Sequence, residues 1–178
     1  MKLDTPIKVL GPVDHAPLRE ALRTVPPEAW LEEQVRQQRF EVHRDTQSII
    51  LIFAVGWPRM KVSRRQGWHY FAREAEPIVR QVVNAHYPQN GQVIRAMLAK
   101  LVAGGVIGRH RDEHPSFAIG HRVHVPLITN DQVDFTINDE VFHLAEGVAY
   151  EVSNLDYHSV VNRSTEDRVH FIFDYAVQ

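Results

Sequence analysis

The stretch RVHFIFDYA, residues 168–176, alternates regularly between two kinds of side chain. One set of alternate positions is apolar or aromatic: Val169, Phe171, Phe173 and Tyr175. The other set is mostly polar: Arg168, His170, Ile172 and Asp174. Because successive side chains of a β-strand point to opposite faces of a sheet, the pattern predicts a strand with its apolar face on a core. The other face would carry a guanidinium and an imidazole into the mouth of a barrel.

Short strand-like runs fill most of the chain around this stretch. They are VIRAMLAKLV, HRVHVPLI, VDFTI, EVFHLA, VAYEV and HSVV, at 93–102, 121–128, 133–137, 140–145, 148–152 and 158–161. Turn signals such as Gly104-Gly105, Asn138-Asp139 and Glu146-Gly147 separate them. Closely spaced short strands of this kind predict a mainly β protein, a double-stranded β-helix (a cupin-like jelly roll) with supporting helices.

The first ninety residues have a different character. Residues 17–40 predict two short helices broken at Pro26-Pro27, and SIILIFAV, 48–55, predicts a buried strand. Residues 57–68 are basic and aromatic and predict a loop, whereas 69–87 have apolar residues at helical spacing. We expect one domain over 1–178, with 1–90 as helix-and-strand support and 91–178 as the jelly-roll catalytic core.

Composition narrows the possible partners. The formal net charge is -2 with both signs mixed, which argues against nucleic acid as a partner, and the absence of cysteine excludes thiolate metal sites and disulfides. The N-terminus lacks the apolar segment of a signal peptide, and no apolar run approaches the ~20 residues that span a bilayer. We therefore expect a cytoplasmic protein that acts on a small molecule or a peptide, without membrane partners.

Histidine is concentrated in the second half, which holds seven of the eleven histidines between His110 and His170. His110 and Asp112 are two positions apart, so on an extended segment they point to the same side, and His158 begins a later strand-like run. Two imidazoles and one carboxylate are the ligands of non-haem Fe(II) oxygenases, which keep open positions for co-substrate and O₂. An isolated His-x-Asp pair is also common in ordinary exposed loops, so this pattern needs support from other residues.

Two arginines give that support. Arg168 would be buried on the inward face of its strand, where it needs an anionic partner, and a dicarboxylate co-substrate suits its planar fork. In HRVHVPLI, Arg122 and His124 share one face and would suit the second carboxylate near the metal. The alternatives are a structural salt bridge from Arg168 to Asp174 or Glu166, and a solvent-exposed Arg122 at the barrel rim.

From Met97 to Tyr175 the chain resembles the aspartyl/asparaginyl β-hydroxylase family of Fe(II)/2-oxoglutarate oxygenases, which also includes proline hydroxylases. The resemblance is carried by His110, RVHVPL at 122–127, Glu146-Gly147, HSVVN at 158–162 and DRVHFIFD at 167–174. It implies that His110 and His158 bind iron, that Arg168 holds the distal carboxylate of 2-oxoglutarate, and that Arg122 and His124 hold the metal-proximal one.

Two positions depart from the pattern of the animal aspartyl β-hydroxylases. Those enzymes have a small residue where this chain has Asp112, so a complete facial triad is expected here, as in members that hydroxylate free amino acids. The family also has a hydroxyl side chain that assists the distal carboxylate, whereas here only Ala99 or Lys100 stands near its expected place.

The resemblance implies hydroxylation of a C–H bond in an amino acid, or in an Asp, Asn or Pro residue, with release of succinate and CO₂. His170, Trp57 and Arg59 are candidates for the substrate side, the last two in a segment that is either a solvated loop or a lid. Two other functions stay open: a metal-dependent cupin-type enzyme that does not use 2-oxoglutarate, and a non-catalytic binding barrel.

Overall fold

Two antiparallel sheets organise residues 3–33 and 40–177, which are the residues that the computed structural model describes. Their strands are β1 (Ile7–Pro12), β2 (Thr46–Val55), β3 (Lys61–Arg64), β4 (Gly91–Leu101), β5 (Val106–His110), β6 (Gly120–Ile128), β7 (Val133–Ile137), β8 (Glu140–Phe142), β9 (Val148–Val152), β10 (His158–Asn162) and β11 (Arg168–Val177). The larger sheet has the order β1-β9-β6-β11-β4-β2-β3, and the smaller has the order β5-β10-β7-β8. Strands from both sides of residue 90 therefore share the larger sheet.

The space between the sheets contains both an apolar core and polar side chains. Leu101 of the larger sheet packs there with Ile107, Phe135 and Val160 of the smaller one. The inward positions of β11 alternate with outward ones, as the RVHFIFDYA pattern predicts. This architecture confirms the predicted jelly roll, and it places the polar face of β11 inside the sandwich.

The outward face of the larger sheet is covered by helices. The long helix α2 (Gln66–His86) packs across β2, and the short helix α1 (Ala16–Ala21) packs against α2 and β6. Their apolar side chains join outward residues such as Phe171 and Phe173 in the main hydrophobic core. In 3–33 and 40–177, no helix combines the length and the apolar character needed to cross a membrane.

Most predicted elements are confirmed, with one correction in the N-terminal half. The strand at 48–55 and the helix at 69–87 form as β2 and α2, and α1 is followed by a 3-10 helix at Pro27–Leu31 after the proline pair. Residues 34–39 of the predicted second helix lie outside the described residues. The predicted loop 57–68 is wrong, because β3 pairs with β2 and α2 already begins at Gln66. Since β3 is an edge strand, its exposed basic side chains are compatible with strand structure.

One polar cluster is buried on the outward face. The carboxylate of Glu151 on β9 lies 2.5 Å from Nδ1 of His121, and the hydroxyl of Tyr87 donates to its other oxygen at 3.0 Å. The rings of Tyr87 and His121 also contact each other, with centroids 4.4 Å apart. This outer cluster of Glu151, His121 and Tyr87 ties the end of α2 to β6 and β9, on the side of the sheet away from the triad.

Candidate metal centre

His110, Asp112 and His158 come together at one end of the sandwich. Each offers a ligand atom, and these atoms lie within 4.8 Å of one another. Strand pairing explains why the histidines meet, because His110 at the end of β5 is directly opposite His158 at the start of β10. Their ring centroids are 4.3 Å apart. The arrangement is that of a group which could hold one metal ion.

The hydrogen bonds of the two imidazoles determine which nitrogen is available to a metal. Nδ1 of His110 lies 2.8 Å from the carbonyl oxygen of Gly108, and Nδ1 of His158 lies 2.9 Å from that of Asp156. Since a carbonyl oxygen only accepts, each Nδ1 must carry the proton and donate. Both rings therefore keep their lone pair on Nε2, and the backbone carbonyls orient them as outer partners of metal-binding histidines commonly do.

The surroundings of His158 favour its neutral form, which is the form that binds metals. The residue is buried, and Phe135 stacks parallel to its ring at a centroid distance of 6.4 Å. Burial lowers the pKa of His158 below its ordinary value, and nearby His110 and Arg122 lower it further, while Asp112 opposes the shift. The donor set of two neutral imidazoles and one carboxylate thus fits a divalent metal such as Fe(II).

Asp112 lies two residues beyond the end of β5, so contacts with other segments hold it. Its backbone N–H donates to the carbonyl of Asn154 at 3.1 Å. The amide of Asn154 donates to Oδ2 of Asp112 at 3.3 Å, and Nη1 of Arg122 donates to the same oxygen. Arg122 is buried, so the alternative of a solvent-exposed Arg122 at the barrel rim does not hold.

Arg168 is buried and lines the cavity that contains the three candidate ligands. The carboxylate of Asp174, an alternative partner of Arg168 in the sequence-based prediction, receives hydrogen bonds from Arg122 and Arg95. His124 lines the same cavity, and its Nδ1 is 3.4 Å from Nδ1 of His170. The cavity thus brings together all three predicted 2-oxoglutarate residues, Arg168, Arg122 and His124.

The three predicted substrate-side residues occupy different positions. His170 is 1% exposed, and the described residues that line the cavity do not include it. A guanidinium nitrogen of Arg168 lies 2.6 Å from its Nδ1, so His170 accepts this bond and bridges Arg168 and His124. Burial, followed by the charge of Arg168, holds the pKa of His170 well below its ordinary value.

Trp57 and Arg59 lie on the surface rather than in the cavity. Both are exposed, and the Trp57 ring makes an edge contact with His114 at 6.4 Å. Because His114 follows Asp112 by two residues, Trp57 stands near the segment that carries this candidate ligand. Its role as part of a lid stays a prediction.

The structure adds two cavity residues that the sequence pattern did not indicate. His43 lines the cavity and packs edge-on against His110, with centroids 5.3 Å apart. Thr46 brings a hydroxyl into the cavity, where it donates to the carbonyl of His43 at 2.7 Å. Thr46 and Arg168 are both paired with Leu101 of β4, so they project from the same face of the sheet. This pairing across a third strand could not be read from local sequence.

One protein-family model matches most of the chain. The family model for aspartyl/asparaginyl beta-hydroxylases matches residues 19–177. Comparison with curated protein sequences gave no match.

Solved structures share the fold at low sequence identity. A 2OG-Fe(II) oxygenase family oxidoreductase from Burkholderia pseudomallei has a TM-score of 0.58 at 14% identity, covering 92% of this chain and 90% of that one. A prolyl-4-hydroxylase from Pseudomonas putida has a TM-score of 0.55 at 11% identity, covering 98% and 94%. HygX from Streptomyces hygroscopicus, solved with nickel, 2-oxoglutarate and hygromycin B, has a TM-score of 0.51 at 14% identity, covering 98% and 84%. These likenesses agree with the jelly-roll architecture.

Proposed function

The chain belongs to the aspartyl/asparaginyl β-hydroxylase family, and we propose that it hydroxylates a C–H bond of an amino acid, or of an Asp, Asn or Pro residue in a peptide. It is an enzyme of the 2-oxoglutarate/Fe(II)-dependent class. In the proposed reaction, one oxygen atom of O₂ enters the substrate as a hydroxyl group and the other enters succinate. The C1 carboxylate of 2-oxoglutarate, next to the keto group, would leave as CO₂.

The observation that carries the proposal is the convergence of His110, Asp112 and His158. The cavity that contains them is also lined by Arg168, which is shielded from bulk solvent. In the proposal these three residues hold Fe(II) through Nε2 of each imidazole and the carboxylate. Bound Fe(II) would supply the activation of O₂ that is coupled to oxidative decarboxylation of 2-oxoglutarate.

The protein's own part is to bind and orient the co-substrate. Arg168 would hold the distal carboxylate of 2-oxoglutarate, because a buried guanidinium binds a carboxylate strongly through parallel hydrogen bonds. Arg122 and His124 would face the carboxylate nearest the metal. The apolar wall formed by Phe135, Val160 and Ile172 would exclude water from the same space. No side chain needs to act as a general base.

The decisive experiment is an anaerobic titration of the Fe(II)-loaded protein with 2-oxoglutarate, followed by the weak visible metal-to-ligand charge-transfer band. We expect the band to appear in the wild type and to vanish in His158→Ala. If iron binds and no band forms, the 2-oxoglutarate assignment is wrong, and a different metal enzyme or a binding barrel is favoured. If the band forms, succinate release with candidate amino acids and peptides identifies the substrate.

A further inference from the structure

A chain of buried charges leads away from the candidate metal centre. Asp112 receives its hydrogen bond from Nη1 of Arg122, which lies on β6. Two other donors of Arg122 point the other way, to Asp174 on β11, with Nε to Oδ1 at 2.8 Å and Nη2 to Oδ2 at 2.9 Å. One planar guanidinium thus joins a candidate metal ligand to a carboxylate that lies outside the cavity lining among the described residues.

The sheet itself sets this geometry. Asp174 is the direct strand partner of Arg122 on one side and of Arg95 on the other. Arg95 donates to Oδ2 of Asp174 at 3.3 Å and to the hydroxyl of Ser116 at 2.5 Å. Since directly paired residues project from the same face, the three side chains meet without any loop having to adapt. Asp174 therefore accepts hydrogen bonds from two cations at the centre of a rigid sheet.

The same group of charges holds the segment that follows Asp112. Ser116 is fully buried, and the ring of Phe117 lies against both guanidinium groups, 4.4 Å from Arg95 and 4.5 Å from Arg122. Asp112 and its following turn are thus attached to the sheet through Arg122, Arg95 and the carboxylate of Asp174. A segment without strand hydrogen bonds gains a fixed position in this way.

Electrostatics make Asp174 the essential member of this group. Arg95 and Arg122 are both buried, and burial lowers the pKa of Arg95, with the charge of Arg122 adding to the shift and Asp174 opposing it. For Arg122, burial is outweighed by Asp112 and Asp174, which raise its pKa. Two buried cations this close need a shared anion, because an unpaired buried charge is costly.

We infer that Asp174 is a positioning residue for the metal centre: it holds Arg122 so that Asp112 presents its carboxylate to the metal. The inference rests on the proposed metal site at His110, Asp112 and His158. Without Asp174, the guanidinium of Arg122 would have one carboxylate left within reach and would turn its fork onto Asp112. The carboxylate would then be drawn towards Arg122 and away from the metal.

The test measures metal binding rather than turnover, with Co(II) as the only added probe. Isothermal titration gives the affinity, and the visible Co(II) absorption reports the ligand geometry. For Asp174→Asn we expect Co(II) affinity to fall about 10- to 100-fold, as is typical when an outer partner of a ligand is lost, together with a changed Co(II) spectrum. The matched control is Glu151→Gln, an equally buried carboxylate with two partners on the opposite face of the sheet. It should lose stability but keep Co(II) affinity within about twofold.

The outcomes separate this inference from the proposed function. If the wild type binds Co(II), His158→Ala does not, and Asp174→Asn binds as tightly as the wild type, the metal site stands and the role of Asp174 is overturned. If the wild type itself fails to bind Co(II), the proposed metal site is wrong. Should Asp174→Asn fail to fold, Arg122→Lys replaces it. Lysine keeps the charge but cannot form the fork, so Co(II) affinity should fall about tenfold, and wild-type affinity in this variant would equally overturn the inference.

Discussion

The two faces of β11 are equally buried and chemically opposite. The outward residues Phe171 and Phe173 are 0% exposed and belong to the main hydrophobic core. The inward residues Arg168 and Asp174 are each 2% exposed and carry full charges. Burial alone therefore does not distinguish the structural face from the functional one.

The two faces contribute differently to the free energy of folding. Removing a phenylalanine side chain from water stabilises the fold by about 1.5–3 kcal/mol. A buried arginine or aspartate is costly unless partners replace the lost water, and replacing a buried ion pair with apolar residues is often neutral or stabilising. We therefore expect the inward face to serve binding and the outward face to serve stability. The following predictions test this separation.

Truncation of a core phenylalanine on the outward face should change the protein most. Phe171→Ala should reduce the free energy of unfolding by about 3–5 kcal/mol, because it leaves a cavity in a fully packed core. The affinity of the remaining folded protein for 2-oxoglutarate should be unchanged. Urea denaturation measures the first quantity and the charge-transfer titration measures the second. A loss of co-substrate affinity at full folding would show that the two faces are not separate.

A change on the inward face should instead weaken 2-oxoglutarate binding and leave stability nearly unchanged. Arg168→Met should weaken 2-oxoglutarate binding about 100-fold, the size expected when one partner of a buried charge pair is removed. Its free energy of unfolding should change little, because methionine fills similar space without a charge. The control is Arg109→Met, which removes the same charge from an exposed position beside His110. Equal loss of affinity in both variants would assign the effect to general charge and not to a binding contact.

Part of this arrangement can be predicted from the sequence alone. The alternation in RVHFIFDYA predicts both faces of β11 correctly, because the period of a strand is local. The two-residue spacing of His110 and Asp112, with His158 at the start of a later strand-like run, predicts these three as candidate ligands, and their atoms do converge. These features depend on residues near each other in the chain or on a motif with fixed spacing.

The sequence does not predict the features that depend on the register between distant strands, and it does not predict the edge strands. The pairing of Asp174 with Arg122 and Arg95 requires the alignment of three strands, and the place of Thr46 beside Leu101 requires another. The sequence pattern does not predict β1, β3 or β5, which are all edge strands of their sheets. Edge strands carry polar residues and proline, such as Pro12 of β1, which hide the alternating pattern.

A smaller change is expected at Glu151, whose buried charge on the outward face should contribute to stability only. Burial opposes ionisation of Glu151, but the hydrogen bond and charge of His121, the hydroxyl of Tyr87 and the charge of Lys8 outweigh it, so the pKa of Glu151 lies below its ordinary value. A carboxyl whose pKa is lower in the folded state contributes stability above its unfolded pKa and loses it as the pH falls through the folded pKa. Glu151→Gln should therefore reduce the free energy of unfolding by about 1.5 kcal/mol at neutral pH, with little difference from the wild type in acid below the folded pKa. Urea denaturation of the metal-free protein across this range measures the difference. A deficit that stays constant with pH would mean that the charge of Glu151 is not what stabilises the outer cluster.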